Sequence, residues 1–298
     1  MAQAQATPKL KRAALLAAAA LSPGLARAFS PAPSETAALD LRAALRGRAQ
    51  PRAEQVIFLV PLVGPHHVSD WQAVTARLAQ TVESFRRQEG AWQAVICCQE
   101  RPPLPDDPRL HWLPFNDPTP GNDKWRKLAA LCDHLATMQT GPAYVMSFDA
   151  DDLLREGRVG EMLERQARGY LAETGYVMDH GTRDVALAGP RSPRHPLRKP
   201  LWKLCGSCAA LLHDPALPQS AAFLRAMTAH EHRMFPYLAR LAGRRLAALR
   251  HPSVLYVLNH GENFGARRGR VGFKSRFVRR YPVDPLDWAQ AAGEFPAP

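Results

Sequence analysis

"YVMSFDADDLL", residues 144–154, decides the fold. An apolar run suited to a strand covered on both faces leads directly into Asp149, Asp151 and Asp152 and then a further apolar pair. Strands buried on both faces belong to parallel sheets flanked by helices. Such sheets bind ligands beyond the carboxyl ends of their strands, which is where these acids fall. Like charges this close repel, and burial raises the cost. One reading is that turns and helix starts simply favour Asp. The other is that a divalent cation sits among the three. On an extended chain residues i and i+2 point the same way, so Asp149 and Asp151 of the D-x-D would face one site. Hard cations such as Mg²⁺ and Mn²⁺ take one or two carboxylates while phosphate oxygens complete the shell.

The segments before this strand alternate in kind. "VIFLVPL" (56–62) is a continuous apolar run. In "SDWQAVTARLAQTVESF", Trp71, Val74, Leu78, Val82 and Phe85 recur at helical spacing, with Ser69 and Gln72 in a capping-box pattern. "AVICC" (94–98) is a second buried strand and "RLHWL" (109–113) a third. A helix from Lys124 to about 138 buries Trp125, Leu128, Cys132 and Leu135. Alternating strands and helices predict an α/β fold with a mostly parallel, Rossmann-like sheet. Lys124, Arg126 and Lys127 lie in the first turn of that last helix, against its dipole. An anion bound there would remove the conflict, although long side chains reaching into water also lower its cost.

After the cluster the pattern is less regular. Val159, Met162, Leu163 and Tyr170 suggest a helix. "GYVMDHGTRDVALAG" reads as a hairpin, and "GSCAALLH" and "SVLYVLNH" as strands. "HEHRMFPYLARLAGRR" reads as a helix ending near Gly243, with Pro236 in its first turn. "GPRSPRHPLRKPLWK" (189–203) is a basic, proline-broken loop. Residues 1–53 read as an Ala/Arg/Pro-rich tail or linker, with a helix starting near Ser34. Residues 54–264 read as the catalytic domain, its halves being 54–152 and 153–264. Residues 265–298 read as a basic C-terminal segment.

The chain has 298 residues, 27 of them proline, and a formal charge of +12, which favours anionic partners: nucleic acid, acidic lipid or a phosphorylated small molecule. Cys97, Cys98, Cys132, Cys205 and Cys208 are odd in number and mostly in apolar settings, which fits reduced, buried thiols. "CGSC" (205–208) is a lone C-x-x-C, without the second pair or histidine pattern of a zinc site. Residues 9–28 hold the parts of a secretory signal, namely a basic start, a short alanine-rich run and an A-x-A-like site, and an alanine-rich surface helix fits them as well. No apolar stretch reaches the ~20 residues needed to span a bilayer. The expected location is cytoplasmic, with contact to an acidic membrane surface left open.

Together these features resemble the GT-A fold glycosyltransferases, especially the large inverting group built like bacterial polysaccharide synthases. The resemblance runs from about Val56 to Phe264. It rests on "VIFLVPL…AVICCQE", on the basic helix "GNDKWRKLAALCDHLA", on "FDADD", and on "HEHRMFPYLARLAGRRLAALRHPSVLYVLNHGEN" with its L-x-R-L-x-x-x-G run and closing His-Gly-x-Asn. It implies a GT-A-type sheet with an irregular acceptor half. It implies a nucleotide-sugar donor, a glycan, lipid-linked or other hydroxyl acceptor, and Mn²⁺ or Mg²⁺. Asp149 would face the ribose or the metal, Asp151 would hold the metal, and Asp152 would stand behind them or face the sugar. His260 would be a further ligand or touch a phosphate. Lys124, Lys127 and Arg267 would meet the diphosphate, the basic tail closing over it. The family places Glu-Asp at its acidic helix start. Here Glu231 is followed by His232, so Glu231 is the first choice for general base and His232 the second. Where the family tends to hold the nucleotide base with Asp, this chain has Gln99 and Glu100. Histidines 66 and 67 follow the first strand and would reach the nucleotide or water.

Two other classes share parts of this pattern. A haloacid-dehalogenase-like phosphohydrolase also runs a strand into D-x-D, but near its domain start and followed by Thr. A nucleic-acid-binding protein would explain the charge, yet no recognition motif is present and aromatic residues are not interleaved with the basic runs, "GFKSRFVRRY" excepted.

Overall fold

The computed structural model describes residues 3–119, 121–138, 140–261 and 271–297. Three helices come first: α1 (Lys9–Leu21), α2 (Pro23–Arg27) and α3 (Pro33–Ala44). The alternating part follows as β1 (Gln55–Pro61), α4 (Trp71–Arg86), β2 (Trp92–Cys98), β3 (Leu110–Pro114), α5 (Lys124–Leu135) and β4 (Ala143–Ser147). Then come β5 (Asp152–Leu154), α6 (Arg158–Arg165), β6 (Gly169–Leu171) and the hairpin of β7 (Gly175–Asp179) and β8 (Val185–Ala188). The rest is β9 (Ala209–His213), α7 (Pro218–Thr228), α8 (Phe235–Leu241), β10 (Ala247–Ala248), β11 (Val254–Leu258), α9 (Val271–Arg280) and α10 (Pro285–Ala292).

The main sheet has seven strands in the order β10-β6-β9-β4-β1-β2-β3. β1 pairs in parallel with β2 and β4, and β2 with β3, while β9 alone runs against its two neighbours. This is the mostly parallel, Rossmann-like α/β sheet that the alternation predicts, and β1, β2 and β4 are almost wholly buried. A second sheet, β5-β11-β7-β8, stands beside it with its own small core around Leu153, Tyr176, Leu255 and Phe295.

Three local expectations shift. The cap of α4 is Asp70, whose side chain accepts the Ala73 N–H at 2.8 Å, and not Ser69. Tyr170 lies in β6 rather than in the helix of Val159 and Met162, because α6 stops where Gln166 turns left-handed (φ 51°). Gly169 (φ 154°) then passes so close to β9 that a Cβ would lie 2.9 Å from the Ala210 carbonyl oxygen. The α7 helix was not foreseen.

The tail or linker expected over residues 1–53 is corrected: α1 to α3 belong to the main core. Leu15, Ala26, Leu39 and Leu41 are fully buried there, and α3 packs on α7 and α8. Buried Glu35 accepts from the Thr7 hydroxyl at 2.7 Å, the Tyr237 hydroxyl at 2.8 Å and the Ala32 N–H at 2.8 Å. Ser34 does not cap α3; its hydroxyl meets His230 Nε2 at 2.7 Å. Small alanine side chains let these helices approach closely, so a composition that reads as linker builds a packed layer. From residue 271 to 297 the basic C-terminal segment is likewise structured. α9 packs on the second sheet, and Arg155 donates to both oxygens of Glu294 at 2.6 Å each. Among the described residues no helix is long and apolar enough to cross a membrane.

Candidate functional site

β4 ends at Ser147, and Phe148 extends it by donating its N–H to the Leu59 carbonyl at 2.9 Å. The three acids therefore emerge at the carboxyl end of the parallel strands. They do not continue the extended chain. Asp152 N–H donates to the Asp149 carbonyl at 3.2 Å, which closes a turn through Ala150 and Asp151. The strict alternation of an extended chain is replaced by this turn, yet Asp149 and Asp151 both stay close enough to Lys124 to act on its ammonium, and their nearest partners differ.

Asp149 Oδ1 accepts from Lys124 Nζ at 2.6 Å. Asp151 Oδ2 lies 2.8 Å from His260 Nε2. Burial pushes the Asp151 carboxyl up, but the hydrogen bond and charge of His260 and the charge of Lys124 outweigh it and hold it below the usual carboxylate range. Burial pulls the Lys124 ammonium down, and Asp149, Asp151 and Asp152 more than restore it, leaving it above its ordinary value. Lys124 thus serves as the common counter-charge for all three acids, from the first turn of α5.

Asp152 is different. It is 0% exposed, and its Oδ2 accepts from Ser207 Oγ at 2.6 Å and from Cys205 Sγ at 3.1 Å. Ser207 Oγ also receives the Asp149 N–H at 2.8 Å, so the loop before β9 grips the turn from behind. Burial and then the charges of Asp151 and Asp149 raise the Asp152 carboxyl well above its ordinary value. Its other oxygen is buried and has no hydrogen-bond partner.

Lys127, expected to meet a diphosphate, is turned inward. It is 1% exposed and donates to the Leu62 carbonyl at 2.6 Å, Gln99 Oε1 at 2.8 Å and Asp123 Oδ2 at 2.8 Å. It ties the ends of β1 and β2 to α5. Gln99 belongs to the same network through Asp123, 2.7 Å away, whereas Glu100 is exposed at the tip of β2. Arg126 pairs with Asp117 at 2.6 Å. His66 and His67 form a short 3-10 turn after β1, with His67 4.0 Å from Asp123.

Glu231 precedes the 3-10 turn of His232–Met234 that leads into α8, and its side chain does not cap that turn. The end of the basic loop, Leu201–Lys203, packs on this turn. His232 feels the charges of Lys124 and Asp149, so the structure brings it to the cluster from the far half of the chain. Burial first, then Lys124, pushes its imidazole down to about 4. His230, two residues earlier, points away to Ser34.

Two participants had no separate signal in the sequence. Tyr256 stands opposite Asp152 in the β11–β5 pairing and bonds to Lys274 of α9, whose ammonium lies 4.4 Å from the ring centre. Burial lowers the Lys274 ammonium, against the pull of Cys205 and the three acids. Lys274 belongs to the basic run in the sequence, and only the return of α9 onto the second sheet shows which of that run's cations reaches the cluster. Arg267, Arg268, Arg270 and Asn263 lie outside the described residues. The C-x-x-C holds no metal ligand set: Cys205 and Cys208 are free, buried thiols, as are Cys97, Cys98 and Cys132.

Among the described residues no three His, Cys, Asp or Glu side chains are grouped to hold a metal ion by themselves. The donor set that does fit is narrower. The Asp149 and Asp151 side chains are each about a quarter exposed, and two carboxylates are the protein share that Mg²⁺ or Mn²⁺ takes when phosphate supplies the rest. His260 Nε2, expected to face a metal or a phosphate, lies 2.8 Å from Asp151.

No protein-family profile matches the chain, and no curated protein matches it. Among solved structures, a 4-diphosphocytidyl-2C-methyl-D-erythritol synthase is similar over 73% of this chain and 97% of its own, at 13% identity and a TM-score of 0.35.

Proposed function

We propose that this chain is an inverting glycosyltransferase that moves a sugar from a nucleotide-diphosphate donor to an acceptor hydroxyl with the help of Mn²⁺ or Mg²⁺. The observation that carries the reading is the cluster itself. Three carboxylates stand at the carboxyl end of a parallel sheet, ringed by Lys124, His232, His260 and Lys274. Asp149 and Asp151 are the residues that would share a divalent ion with the donor's diphosphate. When bound, that ion supplies positive charge against the leaving diphosphate.

The chain's own residues do the remainder. Lys124 and Lys274, both within reach of the acids' charge, offer ammonium groups to the phosphates. Asp152, its carboxyl raised by burial, holds the turn through Ser207 and Cys205. Glu231 takes the proton of the acceptor hydroxyl, with His232 as the second choice. The acceptor oxygen bonds to the anomeric carbon from the face opposite the diphosphate. The carbon–oxygen bond to the diphosphate breaks, and its electron pair leaves with the nucleotide. The acceptor is a hydroxyl of a glycan, of a lipid-linked sugar or of another small molecule.

A thermal-shift screen of the full chain with UDP, GDP and their sugars, with and without Mn²⁺, tests the reading. One nucleotide sugar is expected to stabilise the protein in a metal-dependent way, and Asp149→Asn and Asp151→Asn are expected to abolish that response. If no sugar nucleotide acts, while salt-sensitive retention on DNA or RNA persists in Asp151→Ala, the proposal fails in favour of a nucleic-acid binder.

A further inference from the structure

At the other end of the sheet from the acid cluster lies a cavity of about 360 Å³, formed where α1 and α3 meet the turn after α8. Its position follows from the pairing. Leu212, which lines it, stands opposite Tyr144 at the start of β4, whereas Asp149 follows the end of that strand. Five arginines line the cavity, Arg42, Arg46, Arg48, Arg168 and Arg244, and no Asp or Glu does. None of the five takes part in a salt bridge among the described residues, although ten other arginines do.

Arg244 sets this apart from a solvated basic face. It is 2% exposed and donates to the Leu212 carbonyl. Burial lowers its guanidinium to about 10, against the opposing pull of Asp214 and with the added push of Arg168. Arg168 donates to the Gly243 carbonyl at 3.2 Å, and Arg42 to the Leu241 carbonyl at 3.3 Å. These contacts engage one nitrogen of each guanidinium and orient the fork. A guanidinium carries five donors, and paired forks match phosphate oxygens bidentately. The volume is that of a small-ligand site. Leu21, 81% exposed, is an apolar residue on the same lining.

We propose that this cavity is a second, anion-binding site for clustered phosphate groups, of the size of a diphosphate, carried either by a free small molecule or by a lipid headgroup. It is independent of the acid cluster.

The test measures binding of inorganic pyrophosphate to the full chain by calorimetry. In parallel, sedimentation with phosphatidylcholine vesicles carrying phosphatidylinositol bisphosphate is scored. Both are run on wild type, Arg46→Gln/Arg168→Gln, Lys124→Gln, and a charge-matched control in the exposed loop, Arg191→Gln/Arg194→Gln. Binding that weakens about tenfold or more in Arg46→Gln/Arg168→Gln, and persists in Lys124→Gln and in the control, supports the site. The arm that shows it, pyrophosphate or vesicle, identifies the source of the phosphate. Absence of binding in both arms overturns the proposal. So does equal loss in the control, or loss on Lys124→Gln alone, which would place the anion at the acid cluster.

Discussion

Asp152 is the residue whose chemistry departs furthest from its appearance in the sequence. Three consecutive-looking acids divide into two that are partly open, one bonded to Lys124 and the other to His260, and one that is sealed. Its raised folded-state pKa has a definite sign in stability. Above the ordinary carboxylate range, near pH 4, the unfolded chain has lost this proton while the folded chain keeps it. Folding then binds a proton, so this group's contribution is full below that point and is lost as pH rises toward its folded value, by about 1.4 kcal/mol per pH unit. Asp152→Asn cannot ionise. Urea denaturation between pH 4 and pH 8 is expected to show its stability rising relative to wild type as pH increases. A constant difference across that range would mean that Asp152 is ionised in the fold.

α5 shows why one helix can carry two lysines with opposite fates. Lys124 and Lys127 are three residues apart, yet one faces the acids and the other is locked under the sheet's edge. Lys127→Met leaves the Asp123 carboxylate buried without its ammonium counter-charge and is expected to cost ~3–5 kcal/mol by urea denaturation. Adding Asp123→Asn is expected to recover part of that loss, since the stranded charge is then gone. The sequence made α5 and β4 legible because their apolar residues repeat with clear periods. It also made the cluster legible, because three acids after a buried strand are conspicuous. It could not separate Lys124 from Lys127, since both lie in the first turn and the choice depends on where the ends of β1 and β2 stand. Nor could it find Tyr256 opposite Asp152, because that neighbourhood is created by the antiparallel pairing of β11 with β5, a hundred residues away in the chain. α1 was obscured for another reason: alanine has little hydrophobicity to mark a buried face, and only Leu15 and a few partners reveal it.

At the scale of the whole molecule, the first 44 residues and the Rossmann-like sheet share one core. Leu39→Ala, far from the acid cluster, is expected to cost ~2–5 kcal/mol. It is expected to lower the single cooperative transition followed by circular dichroism, not to create an early step confined to the amino-terminal helices. A separate first transition would show that those helices form a detachable unit. The reversed direction of β9 has a further consequence. Because that strand begins, rather than ends, beside the acids, the loop of residues 189–203 and the Cys205–Cys208 turn lead into the same rim as the carboxyl ends of β1 and β4. The length or composition of that one incoming loop can therefore change what the rim admits while the strands that present Asp149 and Asp151 stay as they are.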